Sequence, residues 1–260
     1  MSRIGSVLVS AAHKALMPYV TIGYPSVEAT LELVPDLASW GCDIIELGIP
    51  FSDPLADGAT IQRSSYQALQ NGVTPRSCLE IAGKIRARID TPLIFMTYYN
   101  LIFHFGLESF CRASAEAGVD GLIIPDLPPE EGAELEACCQ NNGLDLIYLL
   151  APTSNEARIE MVAQRSSGFI YIVSLAGVTG ARDCLPVDLE ELVSKVRSKT
   201  SLPLCVGFGV STPEIAQRVA KIADGVIVGS RLIQLMDNYP SEELRGFVAG
   251  LRNSIDSVKK

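Results

Sequence analysis

The sequence predicts an α/β fold: a single (β/α)8 TIM barrel with a short N-terminal lead-in helix, forming one domain over residues 1–260. Short apolar runs rich in β-branched residues alternate with segments of helical periodicity. This alternation is typical of parallel strands that helices cover on both faces. Eight such runs in about 250 residues match a closed (β/α)8 barrel. A doubly wound open sheet is the alternative, but no G-x-G-x-x-G follows the first run.

The elements can be placed in order along the chain. The first segment, Met1–Leu16, mixes apolar residues with Ser, Arg, His and Lys, and it predicts an amphipathic lead-in helix without a cleavable secretory pattern. The predicted strands are Met17–Ile22, Cys42–Leu47, Leu93–Thr97, Gly121–Pro125, Leu144–Leu150, Phe169–Val173, Leu204–Phe208 and Gly225–Val228.

The segments between these strands carry helix-start and helix-stop signals. Capping residues stand before Pro or an acid in the stretches that begin at Ser26, Thr74, Ser154 and Ser211. Glycines such as Gly41 and Gly118 stand just before the next strand, where a helix C-cap is expected.

Composition excludes several classes of function. No apolar run reaches the 18 residues that a membrane span needs, and a net charge of −9 argues against a nucleic-acid partner. The seven cysteines form no C-x-x-C pair, which is typical of a reduced, cytoplasmic protein. With only His13 and His104 available, we expect no metal centre, and chemistry that runs on carboxylates.

Two carboxylates stand out around the second predicted strand. Cys42, Ile44 and Glu46 alternate onto one strand face, so that an apolar strand ends in an acid on its core-facing side. Asp57 follows in the long loop after that strand. Active sites of (β/α)8 barrels lie at the carboxyl ends of the strands, so both acids are predicted at the catalytic face. We interpret them as an acid–base pair acting on one substrate. The structural alternative is that a buried hydrogen bond satisfies Glu46 and that Asp57 caps a turn.

Glycine clusters follow the last three strands, at Ala176–Gly180, Gly207–Gly209 and Gly229–Ser230. Glycines let backbone N–H groups approach an anion, and barrels often bind phosphate after strands 7 and 8. Because Arg182 and Arg231 lie only beyond these clusters, backbone and hydroxyl donors would hold the phosphate.

Over nearly its whole length the chain resembles the α subunit of tryptophan synthase. The stretch from Glu46 to Gly58, ELGIPFSDPLADG, is the most specific match. The other matching segments, in the family's order, are Pro18–Pro25, Tyr99–Phe103, Pro125–Pro128, Tyr171–Ser174, Gly177–Gly180, Gly207–Gly209 and Gly229–Ser230. Two departures are Ala59, where members usually have proline, and Leu175, where some have arginine.

The resemblance implies a retro-aldol cleavage of indole-3-glycerol phosphate to indole and glyceraldehyde 3-phosphate. Glu46 matches the main acid–base residue, Asp57 the carboxylate that binds the indole N–H, and Tyr171 a tyrosine near the glutamate. The phosphate cradle would be Gly180, Gly209, Gly229 and Ser230, and the indole-pocket walls would be Tyr19, Ile61, Met96, Ile123 and Phe208.

The resemblance also implies a partner, a β subunit that carries pyridoxal phosphate in an α2β2 heterotetramer; the α chain itself would hold no cofactor. The matching contact residues are Pro50, Asp53, Asn100, Phe103 and Asp126, with the Leu101–Phe103 segment expected as an exposed apolar loop.

Three alternatives stay open from the sequence. A related phosphate-binding isomerase would share the glycine clusters but would not predict the Glu46–Asp57 stretch. The chain could also be a free-standing indole-releasing lyase, or a weakly catalytic subunit that mainly activates its partner.

Overall fold

The computed structural model describes residues 2–173, 188–207 and 209–258. Its strands are all parallel and form one sheet in the order β5-β4-β3-β2-β1-β9-β8-β7-β6. They are β1 (Ala15–Thr21), β2 (Ile45–Gly48), β3 (Leu93–Met96), β4 (Gly121–Ile123), β5 (Asp145–Ile147), β6 (Leu149–Leu150), β7 (Ile170–Val173), β8 (Leu204–Gly207) and β9 (Gly225–Val228).

The sheet closes into a barrel because β5 and β6 are consecutive parts of one extended segment. β5 pairs with β4, and β6 pairs with β7. At Tyr148, between the two parts, the carbonyl accepts a hydrogen bond of 3.1 Å from the Tyr171 N–H. The predicted fifth strand is therefore interrupted in its middle, and the described strands occupy eight positions around the ring. The predicted (β/α)8 barrel is confirmed.

Helices precede, connect and follow the strands. They are α1 (Arg3–Ser10), α2 (Val27–Ser39), α3 (Ala59–Gln70), α4 (Pro75–Arg86), α5 (Tyr99–Phe105), α6 (Leu107–Glu116), α7 (Ala133–Asn141), α8 (Glu156–Arg165), α9 (Asp188–Arg197), α10 (Pro213–Ile222), α11 (Ser230–Met236) and α12 (Glu242–Asp256), with a 3-10 turn at Pro129–Glu131.

Side-chain caps begin several helices at or next to the positions that the sequence predicted. The side chains of Ser26 and Thr212 accept from backbone N–H groups in the first turns of α2 and α10, and Thr74 forms a capping box with Ser77 at α4. The cap of α8 is Asn155, one residue beyond Ser154.

The buried apolar residues form an inner and an outer cluster. The outer cluster lies between strands and helices. The inner cluster fills the barrel with Ile4, Leu8, Ala15, Met17, Ile44, Ile94, Ile123, Ile147, Phe169, Tyr171, Cys205 and Ile227. Ile4 and Leu8 come from α1, so the predicted lead-in helix packs against the barrel interior. Its contact with Gly121, the first residue of β4, places it at the amino ends of the strands.

One sequence-based expectation about the second strand is wrong. Cys42 belongs to the outer cluster and does not share a face with Glu46. The Cys42 N–H donates to the Leu37 carbonyl at 3.1 Å, which is part of the turn that ends α2. The alternation into the barrel therefore begins later, with Ile44 inside and Glu46 next on the same side.

Candidate active site

Glu46 lies on β2, surrounded by the barrel core. Its side chain is almost fully buried, with a relative exposure of 1%. Neither carboxylate oxygen has a hydrogen-bond partner among the described residues. Burial raises the pKa of Glu46 to about 8, because the charged form loses its hydration. A buried polar group without a partner is uncommon and is a reason to look for a ligand.

Asp57 lies in the loop that joins β2 to α3, and Tyr98 fixes its position. The Tyr98 hydroxyl donates to Asp57 Oδ2 at 3.1 Å and accepts from the Ala56 N–H at 3.1 Å. The Tyr98 ring also packs against Phe51, with 5.1 Å between ring centroids. Burial raises the pKa of Asp57 to about 6, although the Tyr98 hydrogen bond acts in the opposite direction.

The structure brings both predicted acids to the same two tyrosines. The pKa of Tyr19 is raised, first by burial and then by the charge of Asp57, with a smaller contribution from Glu46. Burial also raises the pKa of Tyr171, and both carboxylates add to that shift. Glu46 and Asp57 therefore act electrostatically on one buried region, as an acid–base pair on a single substrate would require.

Two glycines make room for the tyrosine hydroxyls. A methyl group on Gly48 would lie 2.0 Å from the Tyr19 hydroxyl, and one on Gly207 would lie 2.2 Å from the Tyr171 hydroxyl. Gly48 ends β2, which pairs with the Tyr19 strand β1. Gly207 ends β8, which pairs with the Tyr171 strand β7. Both hydroxyls consequently occupy space at the carboxyl ends of the strands.

The apolar residues predicted for the indole pocket fall at different depths. Ile123 belongs to the inner cluster, and Met96, at the end of β3, packs against both clusters. Ile61 is buried on α3 within the outer cluster. Phe208 lies outside the described residues.

The predicted phosphate residues that the structure describes follow β8 and β9. Gly209 has a φ of +76°, a conformation that favours glycine. Gly229 precedes α11, and Ser230 is the first residue of that helix. Gly180 and Leu175 lie outside the described residues.

The predicted partner surface is only partly exposed. Asp53, Asn100 and Asp126 are exposed, whereas Pro50 is buried. Asp126 Oδ1 accepts from the Tyr99 N–H at 2.9 Å, at the start of α5.

The expectation of an exposed apolar loop at residues 101–103 is wrong. The segment belongs to helix α5, and Ile102 points into the outer core. Phe103 is 65% exposed, so the exposed apolar surface of this segment comes mainly from one large side chain.

Sequence reasoning missed three polar residues around the acids: Tyr98, Thr21 and Ser64. Thr21 and Ser64 are buried hydroxyls whose oxygens lie 2.7 Å apart, joining β1 to α3. The sequence signal that could have indicated Thr21 was a hydroxyl at every second residue, Tyr19 and Thr21, of an otherwise apolar first strand.

The part of the chain that the structure describes contains no group of three or more His, Cys, Asp or Glu side chains that could hold a metal ion. It also contains no helix long and apolar enough to cross a membrane.

Fold and site define a (β/α)8 barrel protein with a buried carboxylate, Glu46, on its second strand and a second carboxylate, Asp57, in the loop that follows. A family model described as tryptophan synthase alpha chain matches residues 6–255. The chain belongs to the tryptophan synthase alpha chain family.

Individual relatives agree with this assignment. The chain is 55% identical to the tryptophan synthase alpha chain of Dehalococcoides mccartyi, over 98% of this chain and 100% of the relative. It is 50% identical to that of Chloroflexus aggregans, over 97% and 96%. Among solved structures, Mycobacterium tuberculosis tryptophan synthase superimposes with a TM-score of 0.92 at 39% identity, covering 98% of both chains. The subunit alpha of Legionella pneumophila gives a TM-score of 0.90 at 37% identity, covering 99% of this chain and 100% of that chain.

Proposed function

We propose that this chain cleaves indole-3-glycerol phosphate to indole and glyceraldehyde 3-phosphate by a retro-aldol reaction. The observation that carries the proposal is Glu46: a buried carboxylate without a hydrogen-bond partner among the described residues, in the barrel of a tryptophan synthase alpha chain family member. Asp57, in the loop that follows the same strand, supplies the second acid.

Glu46 has the properties of a group that both donates and accepts a proton. With a pKa of about 8 it is mostly protonated at neutral pH, and it can donate its proton to C3 of the indole. The resulting carboxylate then takes the proton of the C3′ hydroxyl. The C3–C3′ bond breaks, its electron pair returns to the ring, and the hydroxyl carbon becomes the aldehyde. Glu46 ends the cycle in its starting protonation state.

Asp57 stabilises the cationic ring between these steps. Protonation at C3 places positive charge on the ring nitrogen, and a fixed carboxylate beside the N–H lowers the energy of that intermediate. The Tyr98 hydrogen bond favours the ionised form of Asp57 and holds its oxygen in place. Two acids with different environments thus take different roles.

The substrate phosphate would lie at the ends of β8 and β9. We assign it to the backbone N–H groups of Gly209 and Gly229, to the Ser230 hydroxyl, and to Gly180 beyond the described residues. The positive φ of Gly209 supports this assignment, since glycine permits close backbone approach there.

We further propose that a β subunit binds the face that contains Asp53, Asn100, Phe103 and Asp126. The exposed Phe103 ring supports a protein contact at this place. Pyridoxal phosphate would belong to that partner, the assembly would be an α2β2 heterotetramer, and the reaction would take place in the cytoplasm.

The direct test is product analysis with the purified chain. Incubation with indole-3-glycerol phosphate should release indole and glyceraldehyde 3-phosphate in equal amounts. An isomerised phosphate product without indole would contradict the proposal and favour the isomerase alternative. Repeating the assay with a β subunit separates a free-standing lyase, whose rate would not change, from a subunit that needs its partner.

A further inference from the structure

Tyr19 carries a hydroxyl into a region where the sequence predicted only an apolar wall. The residue lies on β1, between β9 and β2, and it pairs in register with Glu46. At one end, its Cβ lies 3.7 Å from where a methyl group on Gly229 would be. At the other end, its hydroxyl fills the space above Gly48. The side chain therefore reaches from the proposed phosphate site to the strand that carries Glu46.

The hydroxyl is held by a short chain of buried polar groups. Thr21 Oγ1 lies 3.5 Å from the Tyr19 hydroxyl oxygen and 2.7 Å from Ser64 Oγ on α3, and Ser64 Oγ donates to the Ile61 carbonyl at 2.9 Å. Since a contact of 3.5 Å is at the limit of hydrogen bonding, the Tyr19 proton is available for a shorter hydrogen bond to another group. Burial and the charges of Asp57 and Glu46 raise the pKa of Tyr19, so the hydroxyl stays protonated and remains a donor.

The substrate of the proposed reaction has a three-carbon chain between its phosphate and its indole ring. That chain bears hydroxyl groups, and it must cross the distance from Gly229 to Glu46. We propose that the Tyr19 hydroxyl donates a hydrogen bond to a hydroxyl of this chain, and that this contact selects substrates that carry it. This inference rests on the proposed function and adds a specificity-determining residue to it.

Removing the hydroxyl alone separates this role from packing. Tyr19→Phe keeps the ring between Gly229 and Gly48, so the barrel should remain folded. The loss of one such hydrogen bond to a buried ligand group should lower kcat/KM for indole-3-glycerol phosphate about tenfold. Binding of indole-3-propanol phosphate, which lacks the chain hydroxyls, should change by less than about twofold.

Two variants make the comparison sharp. Tyr66→Phe, on the exposed surface of α3, is the matched control and should change neither quantity. Gly48→Ala should displace the Tyr19 hydroxyl, because the added methyl group would collide with it. It should therefore reduce cleavage in the same direction as Tyr19→Phe, and it provides a second test should Tyr19→Phe fail to fold.

Equal losses for both ligands in Tyr19→Phe would overturn the proposal and leave Tyr19 with a packing role. Unchanged kcat/KM would overturn it as well. A wild-type chain that cleaves no indole-3-glycerol phosphate would instead contradict the proposed function itself, so the two failures are distinguishable.

Discussion

At the scale of single residues, Glu46 combines a cost to folding with the catalytic role that we propose for it. A carboxylate that is buried without a partner destabilises the folded state when it ionises. The barrel nevertheless holds Glu46 among apolar side chains, and this burial raises its pKa to about 8. The same burial that weakens the fold thus makes the group suitable for proton transfer in both directions.

The raised pKa of buried Glu46 predicts how the stability of the fold depends on pH. Unfolding returns the Glu46 pKa from about 8 to its ordinary value of 4.5. The unfolded chain then releases a proton that the folded chain retains, so stability should fall as pH rises from about 4.5 to 8. Glu46→Gln should flatten this fall and, at pH 9, raise the free energy of unfolding by roughly 2–5 kcal/mol. Urea denaturation at pH 5 and pH 9 measures the difference; parallel curves for the two proteins would contradict it.

The hydrogen bond from Tyr98 should lower the pKa of Asp57. That hydrogen bond favours the ionised carboxylate, so Tyr98→Phe should raise the pKa of Asp57 further above its ordinary value. If ionised Asp57 stabilises the cationic ring, kcat/KM should fall more at pH 6 than at pH 8, and the acidic limb of the pH profile should move to higher pH. Tyr66→Phe serves as the control. A uniform loss at all pH values would mean that Tyr98 only supports the loop.

At the scale of elements, the first position of α3, after the Asp57 loop, has a backbone that suits proline. Ala59 is the first residue of α3, a position where the missing N–H of proline costs nothing. Gly58 before it is extended, with φ −77° and ψ 165°, as a residue before proline prefers. Ala59→Pro should therefore stabilise the protein by roughly 0.4–1 kcal/mol, by restricting the unfolded chain.

A control variant is available in the same fold. Ala133 is also the first residue of a helix and also follows a glycine, but Gly132 is in the αR conformation, which the residue before a proline avoids. Ala133→Pro should lower the midpoint of thermal unfolding while Ala59→Pro raises it. Equal shifts in both would show that the preceding backbone has no influence.

The elements also mark what sequence reasoning could and could not predict. Continuous apolar runs predicted the positions of the strands, because strands of a parallel sheet are buried on both faces and have this pattern. The helix at Leu101–Phe103 was missed because one turn of apolar residues has no clear period. The contacts of Tyr98 with Asp57 and of Thr21 with Ser64 span 41 and 43 residues, and only the folded barrel brings them together.

At the scale of the whole molecule, catalysis and association are expected to be coupled. The Asp57 loop also carries the exposed Asp53, which we assign to the partner face. If the partner favours the competent loop conformation, the free chain is active only for the fraction of time that it adopts that conformation. A β subunit with pyridoxal phosphate should then raise cleavage by roughly 5- to 150-fold.

Asp53→Ala should reduce this stimulation more than it reduces the rate of the chain alone. Glu80→Ala, an exposed change on α4, should leave the stimulation intact. Titrating each variant with the β subunit and following indole-3-glycerol phosphate cleavage measures both quantities. A rate that no β subunit changes would favour a free-standing lyase.

The central claim is that Glu46 transfers the protons of the cleavage, and one comparison of rates tests it most directly. Glu46→Gln keeps the shape of the side chain but can neither donate nor accept the proton, and Glu80→Gln is the surface control. Single-turnover indole release should fall at least 100-fold for Glu46→Gln, since general acid–base catalysis contributes about 10²–10⁴-fold. It should be unchanged for Glu80→Gln. A folded Glu46→Gln protein that retains more than about a tenth of the wild-type rate would contradict the mechanism.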